Sequence, residues 1–103
     1  MKRLAAATLT GIAALAFSAF AQAEPDGEAI YNRACMACHM TGAAGAPIKG
    51  DADAWAPRLE QGMETLYEHS INGFQAMPAK GGQVNLSDEE VKAAVDFMLE
   101  PVL

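Results

Sequence analysis

The sequence predicts a small all-α domain with about four helices. Three observations carry this expectation. Val91, Ala94, Val95, Met98 and Leu99 recur at i, i+3, i+4, i+7 and i+8, the apolar stripe of a helix lying on a core. Nowhere does the chain alternate apolar and polar residues as a half-buried strand does. Stretches rich in Gly, Ala and Pro punctuate the remainder, as loops between helices do.

Taken in chain order, residues 1–23 read as a cleaved export signal. Lys2 and Arg3 form a basic start, an apolar stretch runs from Leu4 to Phe20, and Ala21-Gln22-Ala23 is a small-x-small cleavage site before Glu24. The alternative, an uncleaved anchor, has an apolar stretch of only 17 residues, the lower limit for crossing a bilayer. Residues 24–103 then form one domain of 80 residues. It keeps five basic residues (Arg33, Lys49, Arg58, Lys80, Lys92) against all 13 acidic ones, a formal charge of −8. That balance argues against binding nucleic acid or anionic lipid, and suits a soluble protein that meets basic patches on its partners.

A first helix is predicted over 26–36, with Asp26 as N-cap, Glu28 in the first turn, and Ile30, Tyr31 and Ala34 on one face. Residues 41–51 read as a loop, broken by Gly42, Gly45 and Gly50 and stiffened by Pro47. Short helices follow over 53–61 and 64–71, the second closed by Asn72-Gly73. Residues 74–85 read as another loop, containing Pro78, Gly81 and Gly82. In the last helix Ser87 and Glu90 form a capping box, and Pro101 ends the element.

Between the first helix and the first loop stands Cys35-Met36-Ala37-Cys38-His39, which holds both cysteines of the chain. C-x-x-C-H is the attachment pattern of a c-type haem. Two thiols three residues apart share a helix face and can form thioethers with the haem vinyl groups, and the next residue brings an imidazole to the iron. A redox dithiol would need a βαβ context that is not visible here. A zinc site would have to recruit Cys35, Cys38, His39 and His69, with two ligands adjacent in sequence. A disulfide across so short a loop stabilises little. The haem reading also answers a size problem, because a domain of 80 residues buries little apolar surface and a covalent cofactor completes its core.

With His39 on one side of the iron, the second axial ligand comes from five methionines or His69. Met36 and Met40 flank the attachment site, and Met63 and Met98 lie on helical apolar stripes, where methionine serves as packing. Met77 sits in a loop, ahead of Pro78, and is the expected ligand. His69 is its rival.

These residues resemble the class I cytochromes c, and among them most closely the bacterial cytochrome c5 group. The resemblance runs from about Gly27 to Leu99. It is carried by Gly27 and Tyr31, Phe97, Cys35-x-x-Cys38-His39, Ala46-Pro47, the run from Gly50 to Arg58, the run from Gly73 to Gly82, and Leu86 to Glu90. It implies a class I cytochrome c fold, with about four helices wrapped around one covalent haem. It further implies a close crossing of the first and last helices at Gly27 and a Pro47 carbonyl that accepts the imidazole N–H of His39. Trp55 and Arg58 are candidate hydrogen-bond donors to the haem propionates. Many cytochromes c5 carry an extra cysteine pair after the methionine, where this chain has Gln83, Val84 and Asn85. The implied function is that of a periplasmic one-electron carrier, not an enzyme, exchanging electrons with redox partner proteins such as a reductase or an oxidase. A haem-based sensor, or a haem subunit of a larger oxidoreductase, are the alternatives.

Overall fold

Two helices far apart in sequence frame the molecule, and each is set by its own cap. The computed structural model describes residues 24–103, and the expected export signal lies outside them. Helix α1 spans Gly27–Ala34, and the Asp26 carboxylate accepts from the Ala29 N–H at 3.1 Å. Helix α5 spans Asp88–Leu99 and starts with the expected capping box: the Glu90 N–H donates to Ser87 Oγ, and the Ser87 N–H donates to the Glu90 carboxylate at 2.8 Å. The Ser87 backbone bond holds the Glu90 carboxyl below its ordinary value of 4.5. The box is therefore complete above that value and is lost as the pH falls through the lowered one.

The two helices pack against each other more extensively than any other pair of elements among the described residues. Their apolar faces, Ile30 and Tyr31 on α1 and Val91, Ala94, Val95, Met98 and Leu99 on α5, supply most of the buried core. The Tyr31 and Phe97 rings meet at 5.5 Å, tilted by 56°. Gly27 allows the approach, since a Cβ there would overlap the carbonyl of Ala93 and press on Phe97. The Tyr31 hydroxyl is buried and makes no hydrogen bond among the described residues. Burial, and next to it the Cys35 thiol, push its pKa up, so it remains neutral.

The first helix is shorter than its sequence predicts. The chain leaves helical geometry at Cys35 (φ −118°) and re-enters it as α2, Met36–His39. A 3₁₀ turn at Ala43–Gly45 opens the loop that follows. Helix α3, Ala52–Leu59, begins before the predicted 53 because the Asp51 carboxylate accepts from the Ala54 N–H and acts as N-cap. Helix α4, Met63–Asn72, ends at Gly73, whose φ of +92° suits glycine. The expected loop over 74–85 contains a tight turn at 74–77 and a 3₁₀ turn at Ala79–Gly82. Past α5, Pro101 lies in a terminal 3₁₀ turn, Glu100–Val102.

Helix α4 is tied to α5 through the Tyr67 hydroxyl, which donates to the Asp96 carboxylate at 2.5 Å. That bond pushes the Tyr67 pKa up to about 12. The donor form, and with it the tie, persists until strongly alkaline pH. Among the described residues no helix is long and apolar enough to cross a membrane.

Gly27→Ala should force α1 and α5 apart, because the obstructing atom is backbone. The expected loss is about 1–3 kcal/mol, the usual cost of overpacking, measured as a lower denaturant midpoint at unchanged slope.

Candidate functional site

Behind the α1–α5 pair lies a cavity of about 280 Å³, close to the lower end of ordinary cofactor pockets (~300 Å³ upward). Its wall includes every residue singled out from the sequence: Cys35, Cys38, His39, Pro47, Trp55, Arg58 and Met77. Apolar side chains of α4 and α5, among them Leu66, Val95, Met98 and Leu99, complete it.

His39 ends α2 and is 7% exposed. Its Nδ1 stands 2.8 Å from the Pro47 carbonyl oxygen, the bond that the sequence resemblance implies. A carbonyl only accepts, so Nδ1 carries the proton and Nε2 keeps its lone pair. Nε2 makes no hydrogen bond among the described residues and is free for a ligand role. The backbone reinforces the arrangement, with the Lys49 N–H donating to the His39 carbonyl at 2.7 Å.

Cys35 and Cys38 are unpaired and half-buried. Burial pushes the Cys35 thiol up to about 11, so it stays protonated, unlike the thiolate of a redox dithiol. Among the described residues no group of three or more His, Cys, Asp or Glu side chains could hold a metal ion. The four-ligand zinc site therefore does not assemble, although His69 also borders the cavity.

Met77 enters from the turn after α4. The Phe74 N–H donates to the Met77 carbonyl at 3.0 Å, and the Met77 N–H donates back to Phe74 at 2.9 Å. The chain reverses over Gln75, which takes a left-handed φ of +53°. Two features hold this segment. Gly81 lies so close to α1 that a Cβ would overlap the Ala34 carbonyl. The Lys80 ammonium donates to the Leu86 carbonyl at 2.6 Å and lies 3.4 Å from the Asp88 carboxylate. Neither this clamp nor the stacking of His69 on Phe74 was foreseen from sequence, because each joins residues whose contact depends on the loop path.

The Trp55 indole N–H donates to the Ile48 carbonyl at 3.0 Å. The buried ring backs His39, with centroids 6.0 Å apart and planes 24° from parallel. Arg58 spends one guanidinium nitrogen on the Ala54 carbonyl, at 2.6 Å, and its remaining N–H groups have no partner among the described residues.

The donor set fits a covalently held haem. Cys35 and Cys38 would hold its edge, an imidazole with a free Nε2 and a thioether border the same cavity, and the remaining wall is mostly apolar.

Comparison with known proteins supports this class. Residues 22–98 match the family model described as cytochrome c oxidase, cbb3-type, subunit III. The chain is 46% identical to cytochrome c-555 of Chlorobaculum tepidum, over 96% of both chains. It is 40% identical to cytochrome c5 of Azotobacter vinelandii, covering 70% of this chain and 89% of the relative. Among solved structures it resembles the cytochrome c crystallised in an electron transfer complex with nitrite reductase. That match has a TM-score of 0.71 and 40% identity, and covers 80% of this chain and 100% of the other. A mono-haem ferrocytochrome c from Shewanella putrefaciens matches with a TM-score of 0.63 and 45% identity, over 71% and 90%. The chain belongs to the class I cytochromes c, in the group that includes cytochromes c5 and c-555. Its cofactor is haem c, and its role is electron transfer.

Trp55→Phe keeps the buried ring but leaves the Ile48 carbonyl without its donor. The expected cost is about 0.5–1.5 kcal/mol of stability, read by denaturant unfolding of the haem-loaded protein.

Proposed function

We propose that the protein is a periplasmic one-electron carrier and not an enzyme, with its iron held by His39 Nε2 and Met77 Sδ and its haem attached through Cys35 and Cys38. One observation carries the reading: the Pro47 carbonyl takes the Nδ1 proton of His39, which leaves Nε2 unpartnered at a cavity bordered by both cysteines and by Met77. When bound, haem c supplies Fe(II)/Fe(III) exchange of a single electron.

The chain's own residues decide what that exchange is used for. With haem bound, His39 and Met77 would both be held by the iron and would leave it no open site for a substrate. The hydrogen bond from His39 to Pro47 keeps the imidazole in one tautomer and one orientation. The apolar side chains of α4 and α5 in the cavity wall favour the less charged, ferrous state. The acidity of residues 24–103 suits brief docking on a basic partner, which a shuttle must leave again. For export, the reading relies on the basic start, apolar stretch and Ala-x-Ala ending of residues 1–23.

The description of the matching family model favours a second reading, a haem subunit of an oxidase. The carrier reading is preferred because the chain matches cytochrome c-555 over 96% of that protein, and the cytochrome c of the nitrite reductase complex over its whole length. The size of the native protein on gel filtration distinguishes the two.

The primary test is the absorption spectrum of the purified, haem-loaded protein. The wild type and His69→Ala should both be low-spin and show the weak long-wavelength methionine–iron band, whereas Met77→Ala should lose it. A wild type that lacks the band, with low-spin character lost in His69→Ala and kept in Met77→Ala, would exchange the two assignments. Arg58→Leu removes a positive charge from the cavity wall and should lower the midpoint potential, on the order of tens of millivolts. An unchanged potential, with unchanged pH dependence, would remove Arg58 from the haem environment.

A further inference from the structure

The turn that carries Met77 is short and conformationally costly. It closes by a pair of backbone hydrogen bonds between Phe74 and Met77, and it passes through Gln75 in the left-handed region that side chains other than glycine disfavour. An isolated reversal of this kind does not persist without outside support. The Lys80 clamp and Gly81 secure the chain on its C-terminal side. On its N-terminal side the support comes from one residue of α4. The His69 carbonyl accepts from the Gly73 N–H at 2.8 Å, which closes the helix just ahead of the turn. The His69 ring lies face to face with the Phe74 ring, with centroids 3.9 Å apart and planes within 12°. At that separation and angle the two ring faces are in van der Waals contact. Phe74 is 45% exposed overall, so the His69 ring covers part of an otherwise open side chain.

We infer that His69 is a positioning residue: stacked on Phe74, it holds the 74–77 turn that presents Met77 to the cavity. His69 borders the cavity too, and its stack on Phe74 gives it a task there other than ligation. The inference rests on reading Met77 as the axial ligand. It concerns how that residue is held, and a separate observable reports it.

The test is amide hydrogen exchange of the haem-loaded full-length protein, followed by NMR at Phe74 and Met77, whose N–H groups close the turn. An aromatic stack contributes enough to slow local opening about two- to tenfold. His69→Ala should accelerate exchange at both amides by about that factor, while the buried amides of α5 stay as in the wild type. His69→Phe keeps a flat ring and should restore slow exchange. Phe74→Leu, at a half-exposed position, should reproduce the His69→Ala acceleration. In the oxidised protein the methionine–iron band should disappear on heating at a lower temperature in His69→Ala than in His69→Phe. Unchanged exchange in His69→Ala would overturn the inference. So would acceleration shared equally with α5, or a His69→Phe variant as fast as His69→Ala. If the wild type lacks the methionine–iron band, the ligand reading fails by itself, and exchange at Phe74 and Met77 still decides whether His69 holds the turn.

Discussion

The crossing of α1 and α5 is the constraint on which the site depends. Gly27 lets the two helices approach to backbone contact with Ala93, and the buried side chains of both then form one core. Cys35 follows directly on α1, and Val95, Met98 and Leu99 of α5 are walls of the cavity. The position of the first cysteine relative to the cavity wall is thus set by packing between the first and last helices, some sixty residues apart in the chain. A covalent attachment near that junction places the cofactor against the best-packed part of the protein, where the surroundings move least.

The histidine side of the cavity is built from three consecutive residues with three different tasks. The Pro47 carbonyl accepts from the His39 ring, the Ile48 carbonyl accepts from the Trp55 indole, and the Lys49 N–H donates to the His39 carbonyl. Each bond alone contributes modestly. Together they stretch a loop segment between α2 and α3, and the segment cannot shift without breaking bonds at both. Proline at position 47 contributes in another way: it has no N–H and its φ is fixed, which narrows the conformations from which its carbonyl must be aimed. The Trp55 indole ties down the same loop segment that orients the His39 ring.

The methionine side is built differently. It has no disulfide to tie its loop, and the substitutes are the Lys80 ammonium, bonded to the Leu86 carbonyl and paired with the Asp88 carboxylate, a glycine wedged against α1, and a ring stack at the end of α4. The acidic surface and the half-exposed apolar ring of Phe74 lie on a molecule in which, among the described residues, the Tyr31 hydroxyl is the one fully buried side-chain oxygen or nitrogen without a hydrogen bond. A small domain with so few buried residues leaves little stability to spare, so contacts that hold single loops matter more here than in a larger protein.

Local chemistry was legible in the sequence wherever it acts over a few residues. The C-x-x-C-H strap, the Asp26 cap, the Ser87–Glu90 box and the apolar stripe of α5 depend on spacings of three or four residues and on intrinsic side-chain chemistry, so they could be read before any fold was known. The helix boundaries at Cys35 and Asp51 were displaced by a residue or two, because a backbone break and an unforeseen cap acted at those points. Tertiary structure alone decided which partner each long-range polar or aromatic group takes: Trp55 with Ile48, Lys80 with Leu86 and Asp88, Tyr67 with Asp96, His69 with Phe74. A donor or a ring face has many acceptable partners in a chain of this composition. The path of the loops selects among them, and that path follows from how α1 and α5 pack, which no local pattern encodes.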